Sequence, residues 1–156
     1  MEFSHTFPVE PPPTHQAALR ILKSKATGKM FVGKMAKSSA KKWSNAFTFL
    51  ARSAWKGKPP VEGIPLSVTI VFVYPKLKSA KEDWSLKVTR PDLDNLAKST
   101  LDALTEAGWW KDDSLICDLR LVKAHGPTPG VMVSFNDIVL VEGEEFAAAK
   151  RKLTKG

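Results

Sequence analysis

The fold of this chain is predicted most clearly from residues 90–123, which read RPDLDNLAKSTLDALTEAGWWKDDSLICDLRLVK. Apolar or small side chains recur in this stretch at the spacing of a helix with one buried face. Their positions are Leu93, Leu96, Ala97, Thr100, Ala103, Leu104 and Ala107. Asp92 stands where a helix commonly begins, and Gly108 where one commonly ends. The stretch therefore predicts a helix, a turn at 111–114 and a strand over 115–123.

Segments on both sides complete a small mixed β-sheet packed with two main helices. Residues 66–74 are rich in Val, Ile and Phe and predict a buried strand. Residues 130–135 predict the hairpin partner of 115–123, and residues 3–7 a short strand that ends at prolines. The first helix begins at Ser39, with an apolar stripe of Trp43, Ala46, Phe47, Leu50, Ala51 and Ala54. The predicted fold class is therefore α/β (α+β).

The length and composition favour one domain. The chain has 156 residues, of which 43% are hydrophobic, and this suffices for one sizeable core. We expect a single domain over 1–140. The remaining 141–156 form a charged C-terminal tail, for which we expect a frayed helix or disorder.

The chain is basic, with 24 Lys and Arg against 16 Asp and Glu and a net charge of +8. Such a charge attracts polyanions, so nucleic acid is the leading partner, although a basic surface can also serve solubility alone. Residues 20–42 carry seven lysines and Arg20. We interpret them either as a flexible basic segment or short hairpin that contacts phosphates, or as a solvated loop.

Cysteine content and hydropathy exclude several classes of protein. Cys117 is the single cysteine, which excludes an intramolecular disulfide and any zinc site that needs two cysteines from one chain. The first 15 residues lack the basic start and apolar run of a signal peptide. No stretch approaches the roughly 20 apolar residues of a membrane span. We therefore expect a soluble, cytoplasmic protein with no membrane partner.

Two close pairs of aspartates flank the second predicted helix and are the candidate catalytic residues. Asp92 and Asp94 stand at its start, and Asp112 and Asp113 follow its end. Asp92 must lie in a non-helical turn, which Pro91 favours, for its carboxylate to converge with that of Asp94. Converging carboxylates favour a hard divalent cation, Mg2+ or Mn2+. Such a site suits phosphodiester hydrolysis, and we expect no small-molecule organic cofactor.

Lys98 shares one face of the predicted helix with Asp94 and Asp102, and could place positive charge near a reacting phosphate. For Asp113 to join Asp92 and Asp94, the strand after the helix must run back beside it, as in a βαβ arrangement.

Each candidate residue also has a purely structural interpretation. Asp92 can be a helix N-cap, Asp94 and Lys98 an exposed ion pair, and Asp112 and Asp113 an ordinary turn. Spacing alone leaves the metal site and these alternatives open.

The stretch 90–123 resembles the central motif of the RusA family of Holliday junction resolvases. That motif consists of a basic residue, Asp-Leu-Asp-Asn-Leu, a lysine, Asp-Ala-Leu, Ala-Gly, an aromatic residue and Asp-Asp, and the similarity extends into Val122-Lys123. The resemblance implies metal-dependent catalysis at the two aspartates of the first element and at the acidic pair. The catalytic and metal-binding residues that it implies are Asp92, Asp94, Lys98, Asp113 and, as an assisting ligand, Asp112.

The resemblance also implies a RusA-like fold, a homodimer and one Mg2+ site per subunit, in which Mn2+ can substitute. Such a dimer would nick two strands of a four-way junction symmetrically, in DNA recombination and repair. We expect the DNA backbone to be held by the 20–42 segment, by the 76–90 loop and by nearby cations. The candidate DNA-binding residues are Lys76, Lys78, Lys87, Arg90 and Lys111.

Two departures from the family pattern affect the expected substrate. The N-terminal Pro-Pro-Ser-x-Asn element is only partly kept, as residues 12–16, and the 75–90 loop is longer than usual. Two other functions therefore stay open. One is the same chemistry on forks, flaps or Y-junctions, and the other is a non-catalytic DNA-binding protein whose acidic cluster is structural.

Overall fold

A computed structural model describes residues 1–13, 18–23, 30–35 and 38–138, with the backbone alone for 18–23, 30–35 and 38. The strands among these residues are β1 (Glu2–Phe7), β2 (Ala18–Lys23), β3 (Met30–Met35), β4 (Leu66–Pro75), β5 (Ser85–Leu86), β6 (Ile116–Gly126) and β7 (Gly130–Asp137). The α-helices are α1 (Ser38–Trp55) and α2 (Leu93–Ala107), and a single 3-10 turn spans Asp113–Leu115. The predicted tail over 141–156 lies outside the described residues.

Strand β4 is the centre of the sheet because it is the most apolar strand. Its alternate side chains Leu66, Val68, Ile70 and Phe72 are fully buried. The sheet order is β1-β7-β4-β6-β5, in which β4 runs parallel to β6 and antiparallel to β7. This mixed sheet with two main helices confirms the predicted fold class.

The predicted hairpin between the last two strands is wrong. β7 pairs with β4 and β1, and β4 lies between β6 and β7. Residues 127–129 bridge that gap, which is about 10 Å for two strand spacings and within the reach of a four-residue step. Pro127 and Pro129 lack the N–H groups that a tight hairpin would use. The short edge strand β5 was also not predicted, since it lies in a segment that is polar overall.

The two helices cover the face of the sheet that carries the core. Phe47 of α1 and Leu104 of α2 are fully buried in one cluster with Ile70. Trp109 and Trp110 are also buried, and their indole N–H groups donate to the Ala51 carbonyl at 2.9 Å and the Thr105 hydroxyl at 2.7 Å. Both tryptophans therefore anchor the end of α2 in the core.

α2 connects two parallel neighbours in the sheet. β4, α2 and β6 form a crossover in which the helix runs antiparallel to both strands. The start of α2 therefore lies near the end of β6, and the end of α2 lies near the start of β6. This arrangement fixes where the candidate aspartates can lie.

The basic segment contains an antiparallel pair, with β2 and β3 in register from Ala18 opposite Met35 to Lys23 opposite Met30. The hairpin alternative for residues 20–42 is therefore confirmed for its strands, whereas 24–29 lie outside the described residues. No helix in the described part of the chain is long and apolar enough to cross a membrane.

Candidate active site

The turn before α2 presents two carboxylates side by side. Asp92 has extended backbone angles, φ −75° and ψ 147°, and Asp94 lies in the first helical turn. Both side chains are exposed. The Asp92 carbonyl accepts the first helical hydrogen bond from Leu96 at 3.2 Å, but its carboxylate makes no capping hydrogen bond. The non-helical start predicted for α2 is therefore present, and the Asp92 carboxylate is not used as a cap.

Lys123 holds this turn in place. Its ammonium donates to the Pro91 carbonyl at 2.7 Å and to the Thr89 carbonyl at 2.8 Å. Lys123 reaches them because it pairs in register with Phe72 near the end of β6, beneath the start of α2. Pro91, which follows a cis peptide bond, is itself buried. The sequence reasoning gave Lys123 no role, although it stood at the end of the recognised motif.

A second lysine lies beside the same turn. The Lys87 ammonium donates to the Thr89 hydroxyl at 2.7 Å and lies 4.8 Å from the centre of the Tyr74 ring. Burial, and then the charge of Lys123, lower the pKa of Lys87. Two cations therefore stand within one turn of Asp92, where they favour an anionic ligand such as a phosphate.

Lys98 pairs with the residue that follows it on the helix face. Its ammonium lies 3.3 Å from the Asp102 carboxylate, and both side chains are mostly exposed. Asp94 is therefore not held in the ion pair that the structural interpretation allowed. Lys98 keeps an exposed position one turn away from Asp94.

The acidic pair after α2 divides into two roles. The Asp112 carboxylate accepts a hydrogen bond from the Ser114 amide at 2.8 Å, and this contact lowers the pKa of Asp112. Asp112 is thus the N-cap of the 3-10 turn, as the structural interpretation allowed. Asp113 is exposed, and its side chain has no hydrogen-bond partner among the described residues.

The structure does not bring Asp113 to Asp92 and Asp94 within one chain. β6 does run back beside α2, as expected, but it carries Lys123 to the start of the helix. Asp113 stays at the opposite end, separated by the 15 residues of α2, which span about 22 Å. The path from Ile116 to Lys123 along β6 gives a similar separation, about 23 Å. No group of three Asp, Glu, His or Cys side chains in the described residues is placed to hold a metal.

Hydrogen bonding divides the eight aspartates of the chain into two groups. Five have a partner, namely Asp83, Asp102, Asp112, Asp118 and Asp137. Within the described residues, the other three carboxylates have neither a hydrogen bond nor an ion pair. These three are Asp92, Asp94 and Asp113, the same three that the family resemblance implies. They are left free for an external ligand.

The candidate DNA-binding cations differ in how far they are engaged. Lys76 pairs with Asp83 at 2.8 Å, and Lys111 pairs with Glu62 at 2.9 Å. Each pairing lowers the pKa of its carboxylate, through the hydrogen bond first and then the lysine charge. Lys78 and Arg90 are exposed, and their side chains have no partner in the part of the chain that is described. Of the free pair, Arg90 lies nearest in sequence to the aspartates of α2.

Comparison with known proteins places this site in a family. The family model described as Endodeoxyribonuclease RusA matches residues 8–136. The crossover junction endodeoxyribonuclease rusA of Lactococcus phage r1t is 27% identical over 141 residues, which cover 88% of this chain and 100% of that protein.

Shorter and stronger matches occur with two further relatives. The crossover junction endodeoxyribonuclease RusA of Escherichia coli O139:H28 is 62% identical over 34 residues, 28% of its length. That of Enterobacteria phage 82 is 59% identical over 34 residues. The resemblance seen in the sequence is confirmed, and the chain belongs to the RusA family of endodeoxyribonucleases, which are hydrolytic nucleases.

Proposed function

We propose that this protein is a Mg2+-dependent endonuclease that resolves four-way DNA junctions by paired, symmetric nicks, acting as a homodimer. The observation that carries the proposal is the turn before α2. There Asp92 occupies the N-cap position without capping, next to Asp94, which is equally free. Side chains with structural roles alone would be expected to engage the helix or a neighbouring cation.

The chemistry of these ligands suits a hard cation. Mg2+ binds through one or two carboxylates and keeps other positions for water and phosphate oxygens. When bound, such an ion supplies a water of lowered pKa and neutralises charge on the scissile phosphate. Within one chain the three expected ligands do not meet, so Asp92 and Asp94 are the ligands that a single subunit can offer.

The residues around the turn position the DNA strand. Lys123 fixes the Thr89 and Pro91 carbonyls, and thereby the direction in which Asp92 projects. Lys87 and Arg90 supply positive charge beside the carboxylates, where a phosphodiester would otherwise be repelled. Lys98, one turn further along α2, can add charge at the leaving oxygen after exchanging its contact with Asp102.

The substrate class comes from the relatives, whose names describe crossover junction endodeoxyribonucleases. We therefore propose branched DNA as the substrate, with the four-way junction first. The broad positive charge, +8 over the chain, supports binding to a phosphate backbone before any cut is made.

An end-labelled cleavage assay tests the proposal. A synthetic four-way junction, a fork, a flap and a linear duplex of the same sequence are each incubated with and without Mg2+. We expect binding of the junction without metal, and symmetric cuts in the junction only when Mg2+ is present. Equal cutting of the linear duplex, or no cutting with any divalent metal, would contradict the proposal. Faster cutting of forks or flaps would assign the same chemistry to another branched substrate.

A further inference from the structure

We propose that each metal site is completed across the dimer, with Asp92 and Asp94 from one subunit and Asp113 from its partner. This inference rests on the proposed function and specifies how its site is assembled. It follows from the distance between two sets of free carboxylates. The ends of α2 lie about 22 Å apart, and no flexible segment among the described residues allows Asp113 to fold back.

Rigid neighbours fix each end of α2. At the start, Lys123 bonds the Pro91 carbonyl at 2.7 Å. At the end, the Trp109 amide donates to the Leu104 carbonyl at 3.2 Å, and the Lys111 amide donates to the Val61 carbonyl at 2.9 Å. A single Mg2+ holds its oxygen ligands at about 2.1 Å, so no local movement can join the two ends around one ion.

The carboxylate of Asp113 is nevertheless presented for an outside contact. It is exposed next to Asp112, and unlike Asp112 it does not cap the 3-10 turn. A second copy of the chain offers the two carboxylates that Asp113 lacks, and it lacks the one that Asp113 offers. The two half-sites are therefore complementary.

Twofold symmetry turns this complementarity into two equal sites. In such a dimer, if residue i touches residue j of the partner, then j touches i. Asp113 of each subunit can thus reach the α2 start of the other, and both sites form together or not at all. Without metal the carboxylates repel each other, so a divalent ion should bind the two chains together.

Apolar side chains suited to contact with a second copy lie beside the α2 start. Trp84, Leu86 and Val88 alternate along edge strand β5 and its extension, with exposures of 57%, 74% and 91%. The outer edge of β5 is the open end of the sheet order. A partner seated there would lie within a few residues of Asp92.

Mixed dimers distinguish a shared site from a site within one chain. Asp94→Asn and Asp113→Asn chains carrying different tags are co-expressed, and the heterodimer is isolated through both tags. In a shared arrangement one site of this heterodimer has lost two ligands, and the other is intact. In a site within one chain, each site has lost one ligand.

We expect both homodimers to be inactive and the heterodimer to nick labelled junctions. It should cut one strand at a time, giving nicked but unresolved junctions, and should bind about half the parental amount of Mn2+ in the absence of DNA. The matched control is the Asp92→Asn and Asp94→Asn heterodimer, which places both changes in the same half-site and should stay inactive and without the restored Mn2+ site.

Three results would overturn the inference. One is a heterodimer of Asp94→Asn and Asp113→Asn that neither nicks nor regains Mn2+ binding. Another is an Asp113→Asn homodimer that cuts at the parental rate, and the third is a parental protein that cuts as a monomer. If the parental protein cuts no branched DNA at all, the proposed function fails, while the Mn2+ titration of the heterodimer still decides whether the site is shared.

Discussion

Asp92 stands at the N-cap of α2 but leaves the first helical amides without a side-chain acceptor. Capping by aspartate usually contributes about 1 kcal/mol to stability, so the free carboxylate forgoes a favourable local contact. Asp94 and Asp113 are unpaired as well, whereas nearby Asp102 and Asp112 have partners. At the scale of single residues, the aspartates kept free are those that the family resemblance assigns to the metal.

Lys98 gives a test in which two variants break the same ion pair. Loss of its surface contact with Asp102 should change the free energy of unfolding by less than about 0.5 kcal/mol. We expect Lys98→Ala to slow junction cutting at least about tenfold, because a positive charge near the phosphate is lost. Asp102→Asn, the matched control, should cut at nearly the parental rate. Equal slowing by both variants would assign the effect to the ion pair.

Tyr74 is the only tyrosine, so its ionisation can be followed by itself. Its hydroxyl is buried without a hydrogen-bond partner among the described residues, and burial raises its pKa from the ordinary 10.0 to about 12. Because the folded-state pKa is raised, the associated stability is full below pH 10.0 and is lost as the pH rises towards about 12. Phenolate absorbance of the native protein should therefore rise near the upper value. A midpoint at 10.0 would contradict the buried environment.

At the scale of elements, the crossover from β4 through α2 to β6 decides what can meet. It brings Lys123 under the first turn of α2 and leaves Asp113 at the other end. The strand therefore supplies a cation that orients the carboxylates, and the turn before it supplies a carboxylate that faces outward.

Lys123→Met should loosen the turn before α2. Two carbonyls lose charge-assisted hydrogen bonds, so we expect the free energy of unfolding to fall by about 1–3 kcal/mol and amide exchange at Leu96 to accelerate. Lys87→Met removes one bond to a hydroxyl and should have a smaller effect. Equal exchange at Leu96 in the parent and in Lys123→Met would exclude this positioning role.

Local patterns in the sequence predicted the elements well but not all of their partners. The apolar period from Leu93 to Ala107 and the αL glycine at Gly108, with φ 82°, gave the bounds of α2 correctly. The partner of β7 was wrong because a short connection suggests a hairpin, and only the full sheet shows that β4 lies between. Strand pairing is a long-range choice that neighbouring residues do not encode.

The candidate site shows the same division. The free aspartates and the non-helical turn at Asp92 could be predicted from residue types and spacing. The role of Lys123 could not, because it depends on the parallel register that sets it opposite Phe72. The separation of Asp113 from Asp92 also depends on the path of the chain after the helix.

At the scale of the whole molecule, the net charge of +8 should make DNA binding strongly dependent on salt. Arg90 is exposed and has no side-chain partner among the described residues, so Arg90→Ala should lower the slope of log affinity against log salt by about one unit. Lys58, which lies over the Phe3 and Trp55 rings, provides the control for loss of one charge elsewhere. Equal slopes for the Arg90→Ala variant and the parent would remove Arg90 from the DNA surface.

Single-turnover cleavage of a labelled four-way junction by Asp94→Asn, with junction affinity measured in parallel, tests the central claim most directly. The change is exposed and nearly isosteric, so the fold should be retained. We predict that Mg2+-dependent cutting falls at least about a thousandfold, equivalent to about 4 kcal/mol in the barrier, while affinity is unchanged or higher. Cutting at the parental rate would contradict a nuclease centre at the start of α2.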